Sequence, residues 1–288
     1  MIERYLTQTH FTSEEDFREH LRFRVPETFN FAYDVMDEWA KVAPEKLALL
    51  WTSERGEEVK TTFAEFKEQT DRTAAYFLSL GIGRGDKGML ILKRHYQWWL
   101  SMMALCKIGA VAIPATHMLT VNDIVYRNQR ASVKAIVSVN DEYVTTQILK
   151  AMPESPTVKV LVAVNSMTQK ENPVPEGFHD WRAEWEAVPA FVRPGEVNTN
   201  EDTMLMYFTS GTSGEPKMVA HDHLYALGHL VTGVFWHNLD GNGIHLTVAD
   251  TGWGKAVWGK LYGQWFAGAT VFVYDHEKFT AGKIMRVM

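Results

Sequence analysis

From residue 62 onward the spacing of apolar positions switches regularly between helical and strand-like. TFAEFKEQTDRTAAYFLSLG (62–81) sets Phe63, Phe66, Ala74, Phe77 and Leu78 at helical intervals, with Thr62 and Glu65 at capping-box spacing and Gly81 as the stop. GMLIL (88–92) is a continuous apolar run of strand length. HYQWWLSMMALCKIG (95–109) predicts a helix that is apolar on most sides and therefore buried, followed by the strand AVAIP (110–114). Thr120 and Asp123 cap a helix running through Asn128; VKAIVSV (133–139) is the next strand, DEYVTTQILKAM (141–152) a helix and VKVLVAV (158–164) a strand.

Residues 166–200 interrupt this rhythm with prolines at 173, 175, 189 and 194, which predicts a surface excursion with one short helix over Trp181 to Glu186. The alternation then resumes: strand TMLMYF (203–208), a polar loop, a helix from His223 to Phe235, strand IHLTVA (244–249), a helix from Trp253, and strand ATVFVY (269–274). KFTAGKIMRVM (278–288) opens a further helix without a closing signal. Such alternation with buried aliphatic runs predicts an α/β fold of layered, parallel-rich sheets flanked by helices.

Charge and composition narrow the function. A net charge of −6 with no long Lys/Arg run argues against nucleic acid as a partner. The single Cys106 excludes an internal disulfide, and its apolar helical surroundings make it packing. No charge-free apolar run approaches the roughly 20 residues of a membrane span. MIERYLTQTHFTSEEDFREH has no apolar signal core and is too acidic for a transit peptide, so the expected compartment is the cytoplasm.

The densest chemistry is YFTSGTSGEPKM (207–218). It gathers the hydroxyls of Thr209, Ser210, Thr212 and Ser213, the glycines Gly211 and Gly214, and Lys217. Glycines let backbone N–H groups converge on an anion, hydroxyls donate to its oxygens, and lysine adds a mobile positive charge. A Ser/Thr-rich surface turn is the bland alternative, but it does not account for a Pro-Lys pair so close behind a buried strand. A Walker A loop fails on spacing, because Gly211 and Gly214 are too close and Lys217 is followed by Met218. GIGRGDKG (81–88) follows a helix and precedes a strand, the reverse of a dinucleotide fingerprint, and is a turn. In the helix predicted from His223, His221 and His223 would sit on different faces with no third ligand, so the sequence offers no metal-binding set.

The pattern [YF]-T-S-G-[ST]-[ST]-G-x-P-K resembles the phosphate loop of the adenylate-forming superfamily. VPETFNFAYDVMDEWA (25–40), KIGAVAIPATHMLTVNDIVYR (107–127) and ADTGWGKAVWGKLYGQWFAGATVF (249–272) are similar to acyl-CoA synthetases of the medium-chain type, with the acetyl-CoA synthetase group close behind. The likeness runs from about Arg24 to the end. It implies an N-terminal extension (1–24), a first α/β subdomain (25–198) and the start of a second (199–288), truncated, with the family's C-terminal lysine domain absent.

The same resemblance implies ATP, Mg²⁺ and CoA as co-substrates and a small carboxylate as substrate. Thr209, Ser210, Gly211, Thr212, Ser213 and Gly214 would cradle the β- and γ-phosphates, and Lys217 would be the catalytic cation. Trp253, Gly254, Lys255 and Trp258 would line the acyl pocket; the competing reading packs these tryptophans in the core. Lys255 is unusual there and either faces solvent or meets a polar or second acidic group of the acid. Two other readings stand beside the ligase: a non-catalytic nucleotide-binding or self-associating (homo-oligomeric) fragment, and an adenylating enzyme with a different acceptor. On the ligase reading the 288 residues alone are expected to be nearly inactive.

Overall fold

The strand–helix alternation begins before the residue-62 pattern, with an antiparallel hairpin of β1 (Leu47–Ser53) and β2 (Glu58–Thr62). The computed structural model describes residues 1–165, 172–210 and 214–288. Ahead of the hairpin lie α1 (Glu14–His20) and α2 (Asp37–Val42), the latter entered through a π turn at Ala32–Met36. Then follow α3 (Phe63–Ser79), β3 (Lys87–Ile91), α4 (Gln97–Lys107), β4 (Val111–Pro114), α5 (Val121–Ala131), β5 (Ala135–Val139), α6 (Glu142–Ala151) and β6 (Val160–Val164), in the expected order. The excursion contributes β7 (His179–Asp180) and α7 (Trp181–Trp185); of its residues, 166–171 fall outside the described ones.

The remaining elements are β8 (Thr203–Thr209), β9 (Lys217–Asp222), α8 (Tyr225–Val231) running into a π turn at Thr232–Trp236, β10 (Ile244–Leu246), α9 (Gly254–Lys260), α10 (Tyr262–Ala267), β11 (Thr270–Asp275) and α11 (Ala281–Val287). The helix predicted from His223 therefore starts two residues later, and the stretch before it is a strand. KMVAHD escapes a pattern search because its side chains are mostly exposed, so no buried face marks it as β.

Two sheets form, with strand orders β10-β11-β1-β2 and β7-β6-β5-β3-β4-β8-β9. All neighbours are parallel except β1–β2 and β8–β9. Each sheet draws strands from both sides of residue 198. The N-terminal 24 residues are tied in by Tyr5 and Leu6, both buried, and by a bridge from Leu6 to Phe23.

Local signals account for several boundaries. The Thr62–Glu65 and Thr120–Asp123 capping boxes form in both directions and start α3 and α5. Every residue of α4 is buried, as its apolar run demanded, and Trp98 and Trp99 lie in the core. That helix carries Lys107 into the core, where its ammonium meets Asp37 of α2 at 2.6 Å and Asp71 of α3 at 2.5 Å. Phe66 of α3 packs on Trp265 of α10 with ring centroids 4.9 Å apart, and the Trp265 indole donates to the Ala48 carbonyl of β1. Helices from both halves of the chain thus share one core.

Candidate functional site

The polar loop is the turn of a hairpin. β8 and β9 pair antiparallel with Thr209 opposite Lys217, so the mostly buried strand TMLMYF supplies a rigid stem that ends at Thr209. Thr209, Ser210, Gly214 and Lys217 are exposed there; Gly211, Thr212 and Ser213 lie outside the described residues. Gly214 has φ +105, a left-handed conformation in which a side chain would be strained. The hairpin is braced by α5: the Tyr126 hydroxyl donates to the Pro216 carbonyl at 2.8 Å, and the Tyr126 ring meets Phe208 edge-on. Arg127 lies over Phe208, 5.2 Å from its centroid. Lys217 has no ion-pair partner among the described residues, so its charge is available to a ligand. Tyr126 and Arg127 were not singled out in the sequence, although α5 itself was; no local signal says which of its faces meets the hairpin.

The second candidate segment reaches the same end of the sheet. β4 and β8 are parallel neighbours, so the chain beyond Pro114 and the hairpin tip lie past the same strand ends, where open α/β sheets hold ligands. The turn at 250–253 is seated on this connection. A Cβ on Gly252 would meet the Thr116 backbone nitrogen at 2.3 Å, so only glycine permits the approach. The Thr251 hydroxyl donates to the Lys93 carbonyl, and the Gly252 N–H donates to Asp250 Oδ1 at 2.9 Å. Gly252→Ala is expected to cost about 1–3 kcal/mol, as overpacking does. Denaturant unfolding checks this; an unchanged midpoint would show that the turn is not held by this contact.

The four proposed pocket residues divide in two. Trp253 (58% exposed), Gly254 and Lys255 open α9 and face outward, while Trp258 is half-buried against His237 with centroids 4.6 Å apart. Beneath the turn lies a cluster of charges that the sequence did not reveal, because its members come from four separate segments. Asp250 Oδ2 sits 3.9 Å from Arg94 and 3.7 Å from His117, while Lys260, almost wholly buried, donates to the Ala249 carbonyl at 2.5 Å. Burial pushes the Lys260 ammonium down to about 7, Arg94 acting in the same direction and Asp250 and Asp275 opposing.

Above that value the folded chain keeps the amine neutral, while the unfolded chain keeps it protonated up to about pH 10. The unfolded state then binds more protons, so stability contributed through Lys260 rises with pH between about 7 and about 10. Lys260→Met should flatten that rise in urea midpoints taken across this window; an identical pH slope in the variant would show that another group is responsible.

His221 and His223 need correction. They do not share a helix: His221 lies on β9 and stacks on Tyr225 at 3.9 Å, and His223 is buried beyond the strand end. No group of three or more His, Cys, Asp or Glu side chains is placed to hold a metal among the described residues. Cys106 is packing, with burial pushing its thiol up to about 12. No helix among them is long and apolar enough to cross a membrane.

Comparison with known proteins converges on one group. The sequence model described as AMP-binding enzyme matches residues 36–288. Acyl-coenzyme A synthetase ACSM3, mitochondrial, of Homo sapiens is 32% identical over 293 residues, covering 99% of this chain and 48% of that protein. Acyl-coenzyme A synthetase ACSM5, mitochondrial, of Mus musculus is 34% identical over 272 residues, covering 92% and 45%. The crystal structure of an acyl-CoA synthetase from Brucella canis superposes with TM-score 0.78 at 20% identity, over 90% of this chain and 45% of that one, which establishes the fold. The chain thus spans about half the length of the curated relatives it matches. These relatives overturn the cytoplasmic expectation, since both are mitochondrial proteins. The acidic N-terminal composition on which that expectation rested describes only the segment itself.

Proposed function

The chain belongs to the family of AMP-binding enzymes, and from that premise we propose that it forms the N-terminal part of an acyl-CoA synthetase that activates a carboxylic acid with ATP. In the first step a carboxylate oxygen attacks the α-phosphorus, and the bond to the α,β-bridging oxygen breaks. Pyrophosphate leaves with that electron pair. In the second, the CoA thiolate attacks the acyl carbon and AMP departs, while the thiol proton is lost to solvent. Neither step needs a covalent protein intermediate, so positioning and charge neutralisation carry the catalysis.

The observation that carries this reading is the hairpin. It offers exposed hydroxyls, a glycine with positive φ and a lysine with no ion-pair partner among the described residues, at the carboxyl end of the parallel strands where the 250–253 turn is seated on the chain beyond β4. Thr209 to Gly214 would hold the β- and γ-phosphates, and Lys217 would neutralise the departing pyrophosphate. Magnesium supplies further neutralisation when it arrives on the triphosphate, since it binds substrate phosphates readily and keeps several waters. The hydroxyls of Thr209 and Ser210 fit such a complex. The acid would extend past Trp253 and Gly254 toward Trp258, and a polar or second acidic group on it would meet Lys255.

A second reading rests on exposed apolar side chains at Trp236, Ile244, Phe279 and Met285 and on the short edge strand β10. Such surface favours self-association of the 288-residue chain. A monomer in sedimentation at tens of micromolar, roughly the range where weak dimers form, removes it. The ligase reading is tested by carboxylate-dependent ATP–pyrophosphate exchange. A protein carrying the complete fold should support exchange and thioester formation, whereas the 288 residues alone should bind ATP weakly and form negligible thioester. No exchange with any carboxylate in the longer protein would overturn the reading, and brisk thioester formation by the short chain would overturn the expected inactivity.

A further inference from the structure

A cavity of about 330 Å³ opens past the carboxyl ends of β3 and β6, walled by α3, α4 and α7. None of the residues lining it belongs to the phosphate hairpin or the 250–258 segment. Its size falls within the range of small-molecule sites. The lining includes Gln69, Tyr96, Gln97, Trp181, Arg182 and Trp185.

Three observations separate this cavity from a packing defect. The Gln97 and Gln69 amides make no hydrogen bond among the described residues and open into the cavity, although the rest of Gln97 is buried. Each amide offers two donors and an acceptor, and an occupant that covers them without pairing them would strand those groups. Second, the aromatic walls are fixed in place. Trp181 packs edge-on against Tyr76 and Phe77 at 5.6 and 5.9 Å. The Trp185 indole donates to Thr73 Oγ1 at 2.9 Å, and Arg72 lies over its ring. Glu184 anchors α7 by accepting from the Tyr76 hydroxyl and pairing with His179. Third, the Tyr96 hydroxyl and the Arg182 guanidinium at the rim also make no hydrogen bond or ion pair among the described residues.

We propose that this cavity binds a flat aromatic or heteroaromatic ring carrying a carboxamide or an equivalent donor–acceptor edge, the ring against Trp181 and Trp185 and the edge on Gln97 and Gln69. An aliphatic chain would leave the two amides unpaired. A phosphate group is disfavoured because Arg182 is the lone arginine of the lining and Glu186 shares its rim. The proposal is independent of the phosphate hairpin and stands or falls without ATP.

Nicotinamide is a suitable probe, with toluene as the ring that lacks the edge. Titration of the 288-residue chain with nicotinamide should shift the indole N–H signals of Trp181 and Trp185 and the side-chain amide of Gln97, with saturation, and toluene should bind more weakly. Gln97→Leu should weaken nicotinamide binding about tenfold or more while leaving the melting temperature nearly unchanged, because no hydrogen bond among the described residues ties the amide into the fold. A side chain held only for structure would lower the melting temperature and leave the affinity unchanged. No saturable shift in the parent chain, equal affinity in the variant, or a lowered melting temperature each overturns the proposal.

Discussion

Lys217→Ala should reduce carboxylate-dependent ATP–pyrophosphate exchange by roughly 10- to 150-fold in a protein carrying the complete fold, with the melting temperature nearly unchanged. The magnitude comes from the loss of one charge-assisted hydrogen bond to a phosphate oxygen, about 1.5–3 kcal/mol, at about 1.4 kcal/mol per tenfold in rate. The two readouts separate because Lys217 is exposed, begins a strand and has no ion-pair partner among the described residues. Among the described residues no ion pair depends on its ammonium. Lys217→Arg keeps the charge but not the shape, and a compact ammonium is not interchangeable with a planar fork; partial recovery is expected. Exchange at the parent rate in Lys217→Ala would remove the lysine from the chemistry, and an equal loss of stability and rate would make it a folding residue.

Lys107→Met is expected to destabilise the chain by about 3–5 kcal/mol, the largest stability effect of any substitution considered. The lysine lies at the end of α4 with its side chain almost wholly buried, and it pairs with Asp37 and Asp71 across α2 and α3. Removing it strands Asp37 in the core. Asp71 is better protected, because Lys67 also reaches it at 2.5 Å. Replacing both ends of the pair, in Asp37→Leu combined with Lys107→Met, should recover most of the loss, since an apolar pair of similar volume avoids the desolvation cost. Urea midpoints of the single and double variants check this. A double variant no more stable than Lys107→Met alone would show that the ion pair holds the three helices by geometry that hydrophobic packing cannot replace.

The uneven legibility of this chain in its sequence has physical causes. α3, α5 and α4 could be read because capping boxes and an unbroken apolar run are local signals. β1, β2 and β9 could not. β2 and β9 keep much of their length exposed, while β1 does carry the apolar run LALLW (47–51) but lies ahead of the first clear helical repeat and is only partly buried. Missing β9 turned a hairpin into a strand–loop–helix and placed His221 on a helix it never joins. The polar segment 209–217 stood out by composition, because hydroxyls, glycines and a lysine are chemistry whatever the backbone does. Its brace was not: Tyr126 reaches Pro216 across 90 residues. The charged cluster under the 250–253 turn is likewise invisible, since Arg94, His117, Asp250 and Lys260 become neighbours only when both sheets have formed.

On the proposed function, the hairpin between Thr209 and Lys217 grips the phosphate end of ATP. Titrating the isotope-labelled 288-residue chain with magnesium pyrophosphate and following backbone amide signals tests it most directly. Saturable shifts concentrated at Ser210 to Gly214 and at Lys217, abolished in Lys217→Ala, are expected. Pyrophosphate binding that leaves those amides unmoved, or that persists undiminished in Lys217→Ala, would contradict it.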